Sequence, residues 1–212
     1  MKVTGIGFVA LVVAALTAGV ASASPWSEVG DASALLPGQQ TNGTGVLDLI
    51  TGNFTGYYDV DMYEIKVVDY THFRASTVGL TTADTKLFLF NASGHGVTFD
   101  DDAGTSAQST LTSQFLTANG TYYLAVTRYN IIAATTGSAP GNYIWNGNPY
   151  NVERAPDGPG AAGALAQWLG ASMYADTTYG VDLKGVEYSV PEPGTLGLLT
   201  LGAWVLVARR RG

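Results

Sequence analysis

Aspartates are the residues of this sequence with the clearest capacity for chemistry. Asp59 and Asp61 stand two positions apart, so both side chains point to the same side of an extended segment. Asp84 directly precedes the apolar run over residues 85–90. Asp101 and Asp102 belong to three consecutive aspartates that follow the next strand-like stretch. Adjacent carboxylates repel one another unless water or a cation neutralises them, and Ca²⁺ takes oxygen ligands of this kind. If the fold gathers these carboxylates they form a Ca²⁺ site; the alternative is that they are solvated turn residues.

A second candidate site is rich in aromatic and amide side chains. Tyr143, Trp145 and Tyr150 lie in a segment that also contains four asparagines, at positions 142, 146, 148 and 151. Aromatic faces and amides in a concave surface are suited to binding sugars, since the rings stack and the amides bind hydroxyl groups. The sequence therefore predicts a carbohydrate-binding surface here. The alternative is that these aromatic rings cover one end of the hydrophobic core.

Catalysis has little support in the sequence. The chain has only two histidines, His72 and His95, and lacks the G-x-S-x-G context of a nucleophilic serine. The paired carboxylates of a glycoside hydrolase are defined by their separation in space, so a hydrolase of that type stays open although nothing local favours it. We expect no catalytic residues and no enzymatic activity.

Strands separated by turns are the elements that must position these side chains. Polar and apolar residues alternate over residues 63–67, 121–127 and 179–183, as in strands with one buried face. Residues 85–90 are apolar on both faces, which predicts a strand covered on both sides. The Ala-rich residues 160–173 have room for a helical turn or two, but their glycines disfavour a long helix. The sequence predicts an all-β fold, an antiparallel β-sandwich or jelly roll.

The beginning of the chain predicts export. Lys2, an apolar stretch over residues 6–20 and the small residues before position 24 match a signal peptide over residues 1–23. The body, residues 24–189, contains no cysteine, so neither disulfides nor thiolate-bound zinc are expected. Its six basic and sixteen acidic side chains give a net charge of −10, which disfavours nucleic acid as a partner and favours cations.

The last residues combine three features in a fixed order. Pro191, Glu192 and Pro193 are followed by an apolar run over residues 194–208 and then by the basic residues Arg209, Arg210 and Arg211. The run is shorter than the ~20 residues that cross a bilayer squarely, but a thin membrane and snorkelling arginines would accommodate it. Basic residues after the run keep that end cytoplasmic. We expect transient insertion into the inner membrane through a hydrophobic helix, with residues 190–212 acting as a sorting signal.

This order of motif, span and arginines resembles the PEP-CTERM sorting signal of bacterial exported proteins. The resemblance implies that an exosortase-type membrane protease recognises the motif and removes the tail. It further implies a bacterium with an outer membrane, and a destination at the cell surface or in the extracellular biofilm matrix, where polysaccharide is a candidate partner.

The body resembles bacterial pre-peptidase C-terminal (PPC) β-sandwich domains more loosely. The matching phrases are DVDMYEIKV at 59–67, ADTKLFLFNASGHGV at 83–97, FDDDAG at 99–104 and ANGTYYLAVTRYN at 118–130. Such domains are non-catalytic, and some bind Ca²⁺ or matrix polymers. The resemblance implies a non-enzymatic protein with Ca²⁺ as its one expected cofactor.

Overall fold

The computed structural model describes residues 24–102, 106–137, 141–173 and 176–191. Strands dominate this part, with two short 3₁₀-helices at Tyr70–His72 and Ser113–Phe115. The strands are β1 (Ser24–Ser27), β2 (Gln39–Gln40), β3 (Asn42–Gly43), β4 (Leu47–Phe54), β5 (Val60–Val67), β6 (Arg74–Ser76), β7 (Thr85–Asn91), β8 (Gly96–Asp100), β9 (Thr110–Thr112), β10 (Gly120–Arg128), β11 (Ile132–Ala134), β12 (Gln167–Leu169), β13 (Thr177–Lys184), β14 (Val186–Tyr188) and β15 (Val190–Pro191). The predicted all-β class is confirmed.

Two sheets form the sandwich. The first has the strand order β1-β4-β13-β6-β9, and the second has the order β14-β5-β10-β7-β8 with β2 also paired to β5. Most pairs are antiparallel, but β1 lies parallel to β4 and β2 lies parallel to β5. The four strands that the sequence pattern predicted most clearly, β5, β7, β10 and β13, are the long central strands of the two sheets.

The main core lies between the two sheets. Alternation along β5 directs Tyr63, Ile65 and Val67 into it, where they meet Val181 and Leu183 of β13. All five side chains are at most 3% exposed. The period-two pattern thus sets which face of each sheet is buried.

A second core covers the outer face of the second sheet. Phe88 and Phe90 of β7 point away from the first sheet and pack against Ile144, Trp145 and Leu165. The covering layer consists of β11, β12 and the loops around them, so the predicted two-sided burial of residues 85–90 is confirmed. The Ala-rich residues 160–173 form turns and β12 rather than an α-helix.

The end of the described chain returns to the body. β15 pairs in parallel with β3, placing Pro191 opposite Gly43. The Ser189 and Thr41 main chains and hydroxyls exchange hydrogen bonds, and the Val190 N–H donates to the Thr41 carbonyl at 3.1 Å. Thr41 is fully buried. Residues 189–191 therefore belong structurally to the sandwich.

The predicted signal peptide, the apolar run over 194–208 and the three arginines lie outside the described residues. Among the residues that are described, no helix is long and apolar enough to cross a membrane.

Candidate functional site

The structure divides four of the five predicted metal ligands between two acidic clusters, and the fifth, Asp59, lies beside the first. Within each cluster, one ligand oxygen per residue lies within 4.8 Å of the others. The first, here called the Asp61 cluster, contains Glu28, Asp31 and Asp61; the second, the Asp101 cluster, contains Asp84, Asp101 and Asp102. The expectation of one site for all five aspartates therefore gives way to two groupings, and Glu28 and Asp31 are additions that the sequence analysis missed.

Asp61 is the most deeply buried carboxylate of its cluster. It lies on β5 opposite Val126 of β10 and is 0% exposed. The Tyr179 hydroxyl donates a hydrogen bond of 2.7 Å to Asp61 Oδ2, whereas Asp61 Oδ1 is buried without a hydrogen-bond partner among the described residues. A buried carboxylate oxygen without a partner is costly, so this atom is a natural ligand for a cation.

The loop after β1 brings two further carboxylates to Asp61. Glu28 is held by main-chain donors, since its Oε1 accepts from the Ala32 N–H at 2.8 Å and its Oε2 from the Asn53 N–H at 2.9 Å. Asp31 is exposed at the rim. Glu28 thus links the N-terminal loop to the end of β4.

Asp59 lies beside this cluster, two residues before Asp61. One of its oxygens accepts a hydrogen bond from the Thr55 N–H. Burial raises the pKa of Asp59, and the charges of Asp31 and Glu28 raise it further. The predicted shared side of Asp59 and Asp61 places both carboxylates in one negative environment.

Burial and like charge act together on Asp61. Burial raises the pKa of Asp61 to about 9 against the opposing hydrogen bond from Tyr179, and the charges of Asp59 and Glu28 add to the rise. Among the described residues, no lysine, arginine or histidine forms an ion pair with Asp59, Asp61, Glu28 or Asp31. The acidic side chains of this cluster thus have no basic counterpart in the described part of the chain.

A tyrosine pair closes the cluster from the sandwich side. The hydroxyls of Tyr63 and Tyr179 are hydrogen-bonded to each other, and burial raises the pKa of both phenols. Gly52 of β4 makes room for them, because a Cβ there would lie 2.4 Å from the Tyr179 hydroxyl oxygen. Both phenols stay protonated: the Tyr63 hydroxyl donates to the Tyr179 hydroxyl, which in turn donates to Asp61.

The Asp101 cluster is a product of the β7–β8 hairpin. These strands are antiparallel, with Leu87 opposite Asp100, so the residue before β7 meets the residues after β8. Asp84, Asp101 and Asp102 each have a buried Oδ1 without a hydrogen-bond partner among the described residues. The hairpin thus brings three of the five predicted ligands together, in a group that does not include Asp59 or Asp61.

Lys86 balances only part of this charge. Its Nζ lies 3.1 Å from Asp101 Oδ2, and the two side chains are 10% and 7% exposed. Burial raises the pKa of Asp101 to about 6 although Lys86 opposes the rise, and burial also raises the pKa of Asp84 and Asp102. Three carboxylates against one ammonium leave the cluster net negative.

Each cluster has a geometry that is compatible with one hard cation of its own. Ca²⁺ binds carboxylate oxygens at about 2.3–2.6 Å, so oxygens on opposite sides of one ion lie about 4.6–5.2 Å apart. The oxygens of each cluster, all within 4.8 Å, satisfy that limit. The donor set consists only of oxygen, which suits Ca²⁺ better than a thiophilic metal.

The three predicted sugar-binding aromatics do not form one surface. Trp145 is 2% exposed and packs in the second core, with ring centroids 5.6 Å from Phe88 and 5.7 Å from Phe90. Tyr143 is half-buried, and Tyr150 is 51% exposed. A buried indole offers no face to a sugar, so Trp145 is a core residue, as the alternative interpretation held. Only Tyr150 retains the exposure that the prediction required.

The histidines occupy the surface. His72 pairs with Asp69 through Nδ1 at 2.8 Å, within one turn of chain, and His95 lies in the turn between β7 and β8. The His72 Nδ1 also lies 3.1 Å from the Thr71 hydroxyl, so one nitrogen faces both neighbours. A catalytic triad requires the base to bind its nucleophile and its carboxylate through different nitrogens, an arrangement that these contacts do not provide.

The described residues form a β-sandwich that carries two acidic clusters. Comparison with protein families identifies residues 189–211 as a PEP-CTERM protein-sorting motif, a match that includes all six predicted sorting residues. The chain is therefore a substrate of an exosortase-type sorting system, exported and sorted at a membrane in transit. Comparison with curated proteins finds no match. Of the sorting residues, Pro191 lies in β15, while Glu192, Pro193 and the arginines lie outside the described residues.

Proposed function

We propose that this protein is a non-enzymatic component of the bacterial surface or extracellular matrix whose sandwich is stabilised by Ca²⁺ at the Asp61 and Asp101 clusters. The sorting motif supports the route, since a sorted protein is exposed to the ions outside the cytoplasm. Extracellular calcium modules work with dissociation constants of about 10⁻⁴–10⁻³ M, which permits binding by a few carboxylates.

The observation that carries this proposal is Asp61. Its carboxylate is 0% exposed, one of its oxygens lacks a partner among the described residues, and its charged neighbours Glu28 and Asp59 are also acidic. A bare carboxylate in such a place is unfavourable, and a divalent cation removes both the charge and the missing contact.

Calcium at this position would have a defined structural effect. Glu28 and Asp31 come from the loop after β1, whereas Asp61 comes from the second sheet. One ion bound to all three links the edge of the first sheet to the second. The ion would provide a cross-link between the sheets in a chain that has no cysteine for a disulfide bond.

The test is thermal unfolding of the exported protein with Ca²⁺ or with EGTA. We expect Ca²⁺ to raise the melting temperature. At a free Ca²⁺ concentration a hundred times the dissociation constant, one site adds about 2.7 kcal/mol to the free energy of unfolding. Asp61→Asn and Asp101→Asn should each remove part of the rise, and the double variant should remove all of it. Asp176→Asn, which alters an aspartate outside both clusters, is the matched control. An identical melting temperature with Ca²⁺ and EGTA would refute the calcium part.

The non-enzymatic part has a separate test. Glycoside and ester substrates should give no sustained turnover with the wild-type protein. Turnover that Asp101→Asn or Asp102→Asn abolishes would assign a hydrolase instead.

A further inference from the structure

A groove of about 460 Å³ opens beside the Asp101 cluster. Its lining includes Asp101 and Asp102, Tyr129 and Tyr150, Asn130 and Asn148, and also Lys86. Acidic, aromatic and amide residues therefore line one concavity. Concave sites with a few converging polar groups and an aromatic wall are typical of small-ligand binding.

The base of the groove is built for a cation. Asp101 is 5% exposed, so it is nine-tenths buried, and its Oδ1 has no hydrogen-bond partner among the described residues. Its other oxygen is engaged by Lys86 at 3.1 Å. Ca²⁺ takes about six to eight oxygen ligands, so three carboxylates that hold one ion leave positions for oxygens from outside the chain.

The walls of the groove are two half-exposed tyrosines. Tyr129 is 50% exposed and Tyr150 is 51% exposed. Main-chain bonds fix both to the acidic cluster: the Tyr129 N–H donates to the Asp84 carbonyl at 3.0 Å, and the Asp102 N–H donates to the Tyr150 carbonyl at 3.1 Å. The main chains of both tyrosines are thus fixed beside those of Asp84 and Asp102.

The ligand chemistry follows from these groups taken together. A cation with open positions binds vicinal hydroxyl groups, exposed tyrosine faces attract C–H-rich ring surfaces, and asparagine amides bind further hydroxyls. Saccharides present all three features. The net charge of −10 on the body repels polyanions, which favours a neutral sugar.

We propose that this groove binds a neutral saccharide with vicinal hydroxyl groups, which complete the coordination of a Ca²⁺ held by Asp84, Asp101 and Asp102 while Tyr129 and Tyr150 contact the sugar ring. The inference rests on the proposed calcium binding at the Asp101 cluster. It assigns the sugar site to Tyr129 and Tyr150, away from Trp145.

The experiment has two stages on the same exported protein. Calorimetric titration with Ca²⁺ alone first measures metal binding in the wild type and in Asp101→Asn. Binding to an array of immobilised neutral and acidic glycans is then measured with millimolar Ca²⁺ and with EGTA. We expect Ca²⁺-dependent retention on neutral glycans that carry vicinal hydroxyls. Tyr129→Ala and Tyr150→Ala should weaken it about tenfold while they leave Ca²⁺ binding intact.

Controls separate the possible outcomes. Tyr57→Ala removes an equally exposed tyrosine (59%) outside the groove and should leave glycan retention unchanged. Tyr150→Leu, which keeps bulk without an aromatic face, replaces the alanine variant if that one does not fold. Ca²⁺ binding at the cluster without retention on any neutral glycan overturns the saccharide inference alone. Absence of Ca²⁺ binding overturns the inference and the proposed function together, and retention that both tyrosine variants preserve overturns the assignment of the groove.

Discussion

Replacing Asp61 by asparagine removes a buried ionisable group while conserving the shape of the side chain. The amide oxygen can still accept the hydrogen bond from Tyr179, and the new NH₂ group has the carboxylate of Glu28 as a nearby acceptor. The variant therefore isolates the effect of the ionisable carboxyl group at this site. Both metal binding and the pH dependence of stability should change.

The magnitude follows from the pKa of Asp61, which burial raises to about 9 from an ordinary value of 3.8. Between these two values the folded, metal-free protein retains a proton that the unfolded chain has released. Stability is therefore highest at low pH and falls as pH rises through this window, by about 1.4 kcal/mol per pH unit from this one group. From about pH 5 to about pH 7 the free energy of unfolding should fall by roughly 2.7 kcal/mol in the wild type. In Asp61→Asn this contribution to the fall in the free energy of unfolding should be absent.

The assay is urea unfolding in EGTA, followed by tryptophan fluorescence. Trp26 is a suitable reporter because it is 8% exposed and its ring centroid lies 5.5 Å from that of Tyr63. Asp101, whose pKa burial raises to about 6, contributes a smaller fall in both proteins, so the difference between the two slopes is the quantity to compare. Equal slopes in wild type and Asp61→Asn would refute the reasoning. So would a variant that keeps the full response to Ca²⁺.

Three further outcomes test other parts of the molecule. Gly43→Ala should lower the free energy of unfolding by about 1–3 kcal/mol, because the new Cβ would lie 2.5 Å from the Tyr188 ring; Gly147→Ala, with open space around it, should change the urea midpoint little. Trp145→Ala should cost about 3–5 kcal/mol in the same measurement, since it empties the second core, and a loss below about 1 kcal/mol would contradict that burial. Glu192→Ala should make the tail-bearing precursor accumulate on immunoblots with a C-terminal tag, and unchanged tail removal would contradict recognition of the motif.

Local patterns in the sequence predict the sandwich well. Strands β5, β7, β10 and β13 follow from alternation or from a two-sided apolar run, because burial of one or both faces leaves a period in the sequence. The layer formed by β11 and β12 has no such period. A useful signal was present nevertheless: a β7 that is apolar on both faces requires a cover on its outer side, and Trp145 lay in a nearby aromatic segment. Its Asn- and Gly-rich neighbours indicated a surface loop, although the indole itself turns inward.

For the acidic clusters, too, contacts within one hairpin are easier to predict from the sequence than contacts between distant segments. Asp84, Asp101 and Asp102 were predicted as part of one site with Asp59 and Asp61. The structure groups these three separately, because the β7–β8 hairpin brings the start of one strand to the end of the next. Glu28 reaches Asp61 only through the assembly of two sheets, across some thirty residues of chain that carry no shared motif. β5 carries Asp61 into that cluster, and Asp59, two residues earlier, lies beside it.

The pairing of β15 with β3 holds the start of the sorting motif against the folded body. Pro191, the first proline of the motif, is fixed opposite Gly43, and the two residues that complete the motif can extend at most about 7 Å beyond it. A protease that binds Pro-Glu-Pro must therefore also contact the folded body, or first separate β15 from Thr41. As long as β15 stays paired with β3, the edge of the sandwich around residues 41–43 is the part of the described body next to the motif.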